Sequence, residues 1–181
     1  MATIAKPMTA KEFLTLDDGS LSELVRGKVV PMNMPGSRHG QICNKIGRLV
    51  GNFSENHLGH TFNNDSGIVT ERDPDTVRGA DVSFYSYERV PKGPAPPGYL
   101  SVPPNIVFEV LSPDDRASYV LQKVAEYLNA GVTAVYVVDP RTKRVSVYRE
   151  REPVQTVEED SFLSFPEPLE ELKIGVRQLF E

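Results

Sequence analysis

Two carboxylates stand inside short apolar stretches of this sequence. Glu109 is the one polar residue in the run 106–111, which has prolines on either side. A short apolar run of this kind is typical of a strand buried on both faces. An ionised carboxylate in such a strand costs several kcal/mol unless it is paired, protonated or bound to a cation. Asp81, in the strand-like run 78–85, is the best candidate for its partner.

Asp81 and Glu109 together would supply oxygen ligands, which Mg²⁺ and Mn²⁺ prefer. Without a cation, two buried carboxylates repel each other and the pKa of one rises. We expect both side chains on one side of a sheet, because both strands would end there in a strand–helix–strand arrangement. Spacing alone leaves open that neither residue binds a metal, since any domain contains carboxylates.

Lys123 is the third candidate. At roughly 100° per residue it lies about 60° from Val120, on the flank of the apolar face of a predicted helix. A lysine on a flank can bury its stem and direct its ammonium toward the strand edge. The alternative is a solvated lysine that passes the sheet. The predicted core-facing residues of this helix are Val120, Leu121, Val124 and Leu128.

The elements that would carry these residues follow from hydrophobic periodicity and turn residues. In chain order, the sequence predicts a helix over 9–16 with a Thr9/Glu12 capping box, a hairpin over 24–30 turning at Arg26-Gly27, a helix over 38–56, a strand over 61–73 bent at Gly67, the Asp81 strand, an exposed proline-rich loop over 90–104, the Glu109 strand, a helix from Ser112-Pro113 to Gly131, a parallel strand over 133–138, an antiparallel strand over 145–149 and a further strand over 154–157.

Composition favours one ordinary domain. The chain has 181 residues, of which 39% are hydrophobic, and we expect a single domain over 1–181. Its single cysteine, Cys43, excludes an intramolecular disulfide and a cysteine-based zinc site. No apolar run approaches the roughly 20 residues of a membrane helix, so no membrane association and a cytoplasmic location are expected. The net charge of −5 gives no global basic footprint for nucleic acid.

The order of these residues resembles the Uma-type family of restriction endonucleases, a branch of the PD-(D/E)xK nuclease superfamily. The resemblance extends from about residue 9 to 149, and the segment 108–113 with the downstream lysine is its most specific part. Its matching positions are Glu23 to Gly27, His39, Asp81, Phe108 to Pro113, Lys123, Tyr127, Gly131-Val132 and Val138 to Pro140.

The resemblance implies roles for individual residues. Asp81 and Glu109 would bind the metal, and Lys123 would position or activate the attacking water. The superfamily's Pro-Asp is Ala80-Asp81 here, and its lysine two residues after the glutamate is Leu111, so the lysine's role would have moved to Lys123.

Two further residues are candidates for accessory roles. Glu23 would bind a second metal or a metal-bound water at the edge of the site, or else be a surface residue beside the hairpin. His39, close to a predicted helix start, would meet a phosphate or cap that helix.

These observations combine into one hypothesis. We expect an α/β, restriction-endonuclease-like fold with a central mixed sheet and helices on both faces. Its activity would be hydrolysis of DNA phosphodiester bonds, with Mg²⁺ or Mn²⁺ held by Asp81, Glu109 and the Val110 carbonyl. The resemblance also implies a homodimer. Two rival functions stay open: a catalytically silent binding module that kept the fold, and a metal hydrolase for another phosphate ester.

Overall fold

A mixed eight-stranded sheet runs through the part of the chain that the computed structural model describes, residues 6–16 and 20–181. The strands lie in the order β2-β1-β4-β5-β6-β7-β8, and β3 also pairs with β4. Strands β5 and β6 are parallel and the other pairs are antiparallel. The elements are α1 Ala10–Leu14, β1 Ser22–Val25, β2 Lys28–Pro31, α2 Ser37–Ser54, β3 Gly59–Glu71, β4 Thr76–Ser86, β5 Ile106–Val110, α3 Ala117–Asn129, β6 Ala134–Asp139, β7 Arg144–Tyr148, β8 Gln155–Val157, β9 Phe162–Leu163, β10 Ile174–Gly175 and a 3₁₀ helix Val176–Leu179.

Helices cover both faces of this sheet, as the sequence predicts. Alternate residues of β5 point to opposite faces, so Phe108 packs on the α2 side and Val107 on the α3 side. Helix α2 contributes Ile42 and Ile46 to the first core, and α3 contributes Val124 to the second. Strands β4 and β5 are therefore buried along their whole length. A charged side chain within either strand has to find a partner inside the protein.

The C-terminal segment completes the core on the α2 side. Strands β9 and β10 pair with each other, and the 3₁₀ helix follows directly. Leu169 and Ile174 are almost inaccessible to solvent and belong to the same apolar cluster as α2. The tail is therefore part of the fold that supports the sheet.

The predicted hairpin is confirmed, with Arg26 and Gly27 at its turn. Both residues have positive φ, 49° and 73°, as a two-residue turn with the twist of the flanking strands requires. The predicted first helix is also confirmed, although it begins at Ala10, after its Thr9 cap.

The bend predicted at Gly67 is wrong. Gly67 pairs in register with Gly79, and a Cβ on Gly67 would lie 2.4 Å from the Tyr99 ring, so the glycine makes room for packing. Strand β3 has register shifts instead between Asn63 and Ser66, a stretch that we call the β3 bulge, and between Val69 and Glu71.

Helix α3 differs from its prediction in its start and in its buried face. It begins at Ala117, because Asp115 accepts a hydrogen bond from the Ser112 N–H at 2.7 Å and closes a turn before the helix. Leu121, expected in the core, is 50% exposed, whereas Lys123 is only 6% exposed. The helix is therefore rotated so that Lys123 faces the sheet.

No helix within residues 6–16 and 20–181 is both long and apolar enough to span a membrane.

Candidate metal centre and its ion-pair network

Asp81 lies on β4 at the point where its pairing with β5 stops. The last paired residues are Val82 and Phe108, so continuing the register by one pair would place Asp81 opposite Glu109. The Val110 N–H donates a 2.6 Å hydrogen bond to Asp81 Oδ2. The expectation that both strands end on the same side of the sheet is wrong, because β4 and β5 are antiparallel and Asp81 lies in the middle of β4. The register, rather than the strand ends, makes the two acids neighbours.

Two side chains from α3 hold the Glu109 carboxylate. Lys123 Nζ donates to Oε2 at 2.7 Å, and Tyr127 Oη donates to Oε1 at 2.8 Å. Residues four apart lie on one face of a helix, so both reach β5 together. Lys123 Nζ also donates to the Gly79 carbonyl at 3.0 Å. The solvated alternative for Lys123 is wrong, because the residue is 6% exposed and its ammonium bonds Glu109 and Gly79.

Glu23 lies on the other side of the Lys123 ammonium. Its Oε1 is 3.4 Å from Lys123 Nζ and accepts a hydrogen bond from the Gly79 N–H at 3.0 Å. Its Oε2 accepts from Arg78 Nη1 at 2.7 Å and from Tyr119 Oη at 2.5 Å. Both oxygens therefore have partners within the protein. Glu23 is 1% exposed, so its alternative as a surface residue is wrong.

Arg78 links this site to α3 through a second carboxylate. Its Nε and Nη2 donate to Glu126 at 2.5 and 2.9 Å, while its Nη1 contacts Glu23 and Tyr119. The Arg78 side chain is fully buried. Sequence reasoning missed Arg78, Tyr119 and Glu126. The available signal was a charged residue in the same apolar strand as Asp81, which must have a buried partner.

His39 lies in the first turn of α2, and its Nε2 is 3.3 Å from Asp81 Oδ1. The hydrogen bond to Asp81 is the main reason that the pKa of His39 is raised, and the Val110 carbonyl acts in the same direction. Cys43, one turn later, has its Sγ 3.4 Å from His39 Nδ1. Potential ligand atoms of His39, Cys43 and Asp81 lie within 4.8 Å of one another. Burial raises the pKa of the Cys43 thiol, which makes it a poor metal ligand.

Asp65 is an acid near the site that sequence reasoning missed. It lies in the β3 bulge, where Asn64 and Asp65 have positive φ, 63° and 53°. A Cβ on Gly79 would be 3.0 Å from the Asp65 Cβ, so the glycine permits the close approach of the bulge. Burial and the charge of Asp81 raise the pKa of Asp65. An adjacent Asn-Asp pair in a strand was the signal, because these residues tolerate left-handed conformations.

A cleft of about 810 Å³ opens beside these groups. Asp65, Asp81, Glu109 and Lys123 all line it, together with residues 110–116 and the segment before α2. The turn that replaces the predicted start of α3 therefore forms part of the cleft wall. Oxygen ligands and an ammonium thus face a space large enough for a phosphodiester and its neighbouring groups.

Burial raises the pKa of Glu109 to about 7, because Lys123 offsets the loss of solvation only in part and Asp81 adds repulsion. For Lys123 the balance is opposite. Burial alone would lower the pKa of its ammonium, but the charges of Glu109 and Glu23 outweigh burial and raise it. Lys123 therefore stays protonated at neutral pH, while Glu109 exchanges its proton close to neutrality.

The shifted pKa of Glu109 predicts a pH dependence of stability in metal-free protein. The folded state keeps the Glu109 proton up to about pH 7, whereas the unfolded chain releases it near pH 4.5. The folded state then binds more protons in this window, so the free energy of unfolding falls as pH rises, by about 3 kcal/mol from this group. Urea unfolding with EDTA at pH 5 and pH 7.5 measures the fall.

His39 acts in the same direction, since its stabilising pair with Asp81 is lost as pH rises through its raised pKa. Comparison with Glu109→Gln isolates the Glu109 contribution, because this variant should show a smaller fall between the two pH values. An equal fall in both proteins would contradict the assignment.

Comparisons with known proteins show the family and the fold. The model of a family named Uma2, with the description "Putative restriction endonuclease", matches residues 10–177. This chain belongs to the Uma2 family. A crystal structure of a "putative nuclease" from Anabaena variabilis ATCC 29413 has the same fold, with a TM-score of 0.81 and 24% sequence identity. The match covers 96% of this chain and 98% of that one. No curated protein matches the chain.

The donor set of this Uma2 protein fits a hard divalent cation. Asp81 and Glu109 offer carboxylate oxygens, and repulsion from Asp81 contributes to the raised pKa of Glu109. A bound cation would relieve that repulsion. Asp81 Oδ1 and the Val110 carbonyl both interact with the His39 ring and raise its pKa, so these two oxygens favour a positive group.

Proposed function

We propose that this Uma2 protein is a metal-dependent endonuclease that hydrolyses DNA phosphodiester bonds. The observation that carries the proposal is the 2.7 Å contact between the Lys123 ammonium and Glu109. The residue after Glu109, Val110, donates its N–H to Asp81, so the three groups lie together. An ammonium beside two carboxylates at the edge of a cleft is the set of groups that phosphodiester hydrolysis requires. Family membership adds the reaction class.

Asp81, Glu109 and the Val110 carbonyl would hold Mg²⁺ or Mn²⁺. When bound, such a cation neutralises phosphate charge and makes water a stronger nucleophile. Hydrolysis adds water across one P–O bond, so one product keeps the phosphate and the other leaves as an alcohol. The protein's task is to orient the water and to stabilise the charge that builds on phosphorus-bound oxygens.

Lys123 would perform the second task. Its ammonium stays protonated, because the charges of Glu109 and Glu23 raise its pKa. It therefore acts as a hydrogen-bond donor and a positive charge, and not as the base that removes a proton from water. Its hydrogen bonds to Glu109 and Gly79 and its ion pair with Glu23 are all made with groups of the protein. With Glu109 as a metal ligand, one donor of Lys123 would be available to the substrate.

Glu23 would be a positioning residue for Lys123. Glu23 is 1% exposed, against 8% for Asp81 and for Glu109, and Arg78 fixes one of its oxygens from a fully buried position. This arrangement supports an anchoring role better than ligation of a second metal. His39 would steady Asp81 through the 3.3 Å contact and offer a positive edge to a phosphate.

The test is Asp81→Asn, which preserves an oxygen for the Val110 N–H and removes the charge. We expect Mn²⁺ affinity to fall at least about tenfold and nicking of supercoiled plasmid to fall by about 10²-fold or more. Isothermal titration calorimetry and a gel assay measure the two effects. Asp114→Asn is the matched control, because Asp114 lines the same cleft but is exposed.

The rival functions give different results in the same assays. A silent binding module would give no Mn²⁺ heat, no nicking and no effect of Asp81→Asn. A hydrolase for another phosphate ester would bind Mn²⁺ through Asp81 but leave the plasmid intact, and a panel of phosphate esters would then identify its substrate. The homodimer implied by the resemblance stays a prediction.

A further inference from the structure

The cleft carries too much negative charge to hold a polyanion unaided. The acids that line it outnumber the basic residues; they are Glu23, Asp65, Asp81, Glu109, Asp114 and Asp115, against His39, Arg116 and Lys123. The whole chain also has a net charge of −5. A nucleic acid would therefore need a cationic surface next to the cleft in order to bind along its backbone.

Helix α2, whose N-terminal end lines the cleft, carries a cationic surface. No Asp or Glu occurs among its 18 residues. One side of the helix, spanning about 120° at roughly 100° per residue, carries only polar and basic side chains. We call it the α2 basic face, formed by Arg38, Gln41, Asn44, Lys45, Arg48 and Asn52. These side chains are exposed, apart from the half-buried Lys45.

The cations of this face are only partly used by the fold. Arg38 donates to the Phe180 carbonyl and to Gln41. Lys45 and Arg48 form no side-chain hydrogen bond or ion pair with any residue in the described ranges 6–16 and 20–181. By contrast, most of the basic residues on β7 and in the tail are paired with acids, as Arg144 is with Glu158. Two unpaired cations close together on an acid-free helix are free to meet an anion.

The α2 basic face is joined to the cleft by the helix itself. His39, in the first turn of α2, contacts Asp81 and lines the cleft. The face begins at Arg38, next to His39 in sequence but about 100° from it around the helix, and extends along the helix away from the end that lines the cleft. Arg38 and Arg48 are ten residues apart, about 15 Å, which is the axial length of roughly four base pairs.

We propose that the α2 basic face binds the phosphate backbone of the nucleic acid whose scissile bond lies in the cleft. The proposal rests on the proposed function for the identity of the partner. Lys45 and Arg48 would make contacts that do not depend on base sequence, and they would supply affinity that the acidic cleft cannot. The neighbouring side chains of Gln41 and Asn44 would donate hydrogen bonds to phosphate oxygens.

The experiment reverses both unpaired charges, in Lys45→Glu/Arg48→Glu. We expect its affinity for a fluorescein-labelled DNA duplex, measured in EDTA by anisotropy, to fall about tenfold or more. The slope of log K against log salt should fall by about 2, since each phosphate contact contributes about 0.9. Hydrolysis of bis(p-nitrophenyl) phosphate with Mn²⁺ should be unchanged, because this small diester does not reach the face.

The matched control is Arg141→Glu/Lys173→Glu, which makes the same change in net charge at exposed residues elsewhere. Three results would each overturn the proposal: an equal loss of DNA affinity in both double variants, an α2 variant that binds DNA as tightly as the parent, or a parent that binds no DNA. Lost DNA binding in the α2 variant alone, with a parent that hydrolyses neither substrate, would support the surface and refute the nuclease function.

Discussion

Lys123→Met is expected to lower plasmid nicking by about 10²- to 10³-fold without weakening Mn²⁺ binding. The magnitude is that of removing one preorganised donor from the site where charge develops. Metal affinity should stay the same or rise, because the ammonium that competes for Glu109 is gone. Single-turnover nicking measures the loss of rate, and calorimetric titration with Mn²⁺ measures the metal affinity, which should not fall with it.

Folding will also be affected in Lys123→Met. The change leaves Glu109 without its buried positive partner and removes one of the two cations beside Glu23, which keeps Arg78; this costs about 3 kcal/mol in metal-free protein. Mn²⁺ should restore part of this stability by neutralising Glu109. Assays at saturating Mn²⁺ therefore compare folded proteins.

Two controls sharpen the result for Lys123. Lys123→Arg keeps the charge but should recover little activity, because a planar fork cannot make the contacts of a compact ammonium to Glu109 and Gly79. Tyr127→Phe removes the other donor to Glu109 but leaves the ammonium, and it should keep more activity than either lysine variant. Nicking by Lys123→Met at the parent rate would refute the role of Lys123.

Arg78→Met is expected to lower the free energy of unfolding by about 3–5 kcal/mol. Arg78 is fully buried and bonds two carboxylates, so its removal leaves Glu23 and Glu126 without their common cation. Breaking a buried ion pair from one side is costly, since the remaining charge stays desolvated. Urea unfolding in EDTA, with the slope checked for two-state behaviour, measures the change.

Arg144→Met is the matched control for Arg78→Met. Arg144 also bonds a glutamate, at 2.8 Å, but both partners are more than half exposed. Such a surface pair contributes about 0–1 kcal/mol. In Arg78→Met/Glu126→Gln the second change removes one of the unpaired charges, so stability should partly return. Similar losses for Arg78→Met and Arg144→Met would contradict the buried network.

The local sequence determined much of this protein. Polar residues within apolar runs identified Asp81 and Glu109 as residues that need partners, and helical spacing placed Lys123 on the flank of the apolar face of its helix, from which a lysine can reach the sheet. The turn at Arg26-Gly27 was predicted from Gly27, because glycine adopts positive φ without a steric penalty. The family resemblance rested on the same short segments, and the family match confirmed it. Each of these inferences depends on neighbours within about one turn or strand.

Only the tertiary structure decided which charged groups meet. The Glu23 and Arg78 side chains join across 55 positions of the chain, and Tyr119 reaches Glu23 across 96. His39 meets Asp81 because the N-terminal end of α2 lies over β4, and Asp65 approaches because the β3 bulge faces Gly79. Sequence periodicity states that a buried charge needs a partner, but strand register and helix rotation select it. Those are set by packing of the whole core, which local patterns do not encode.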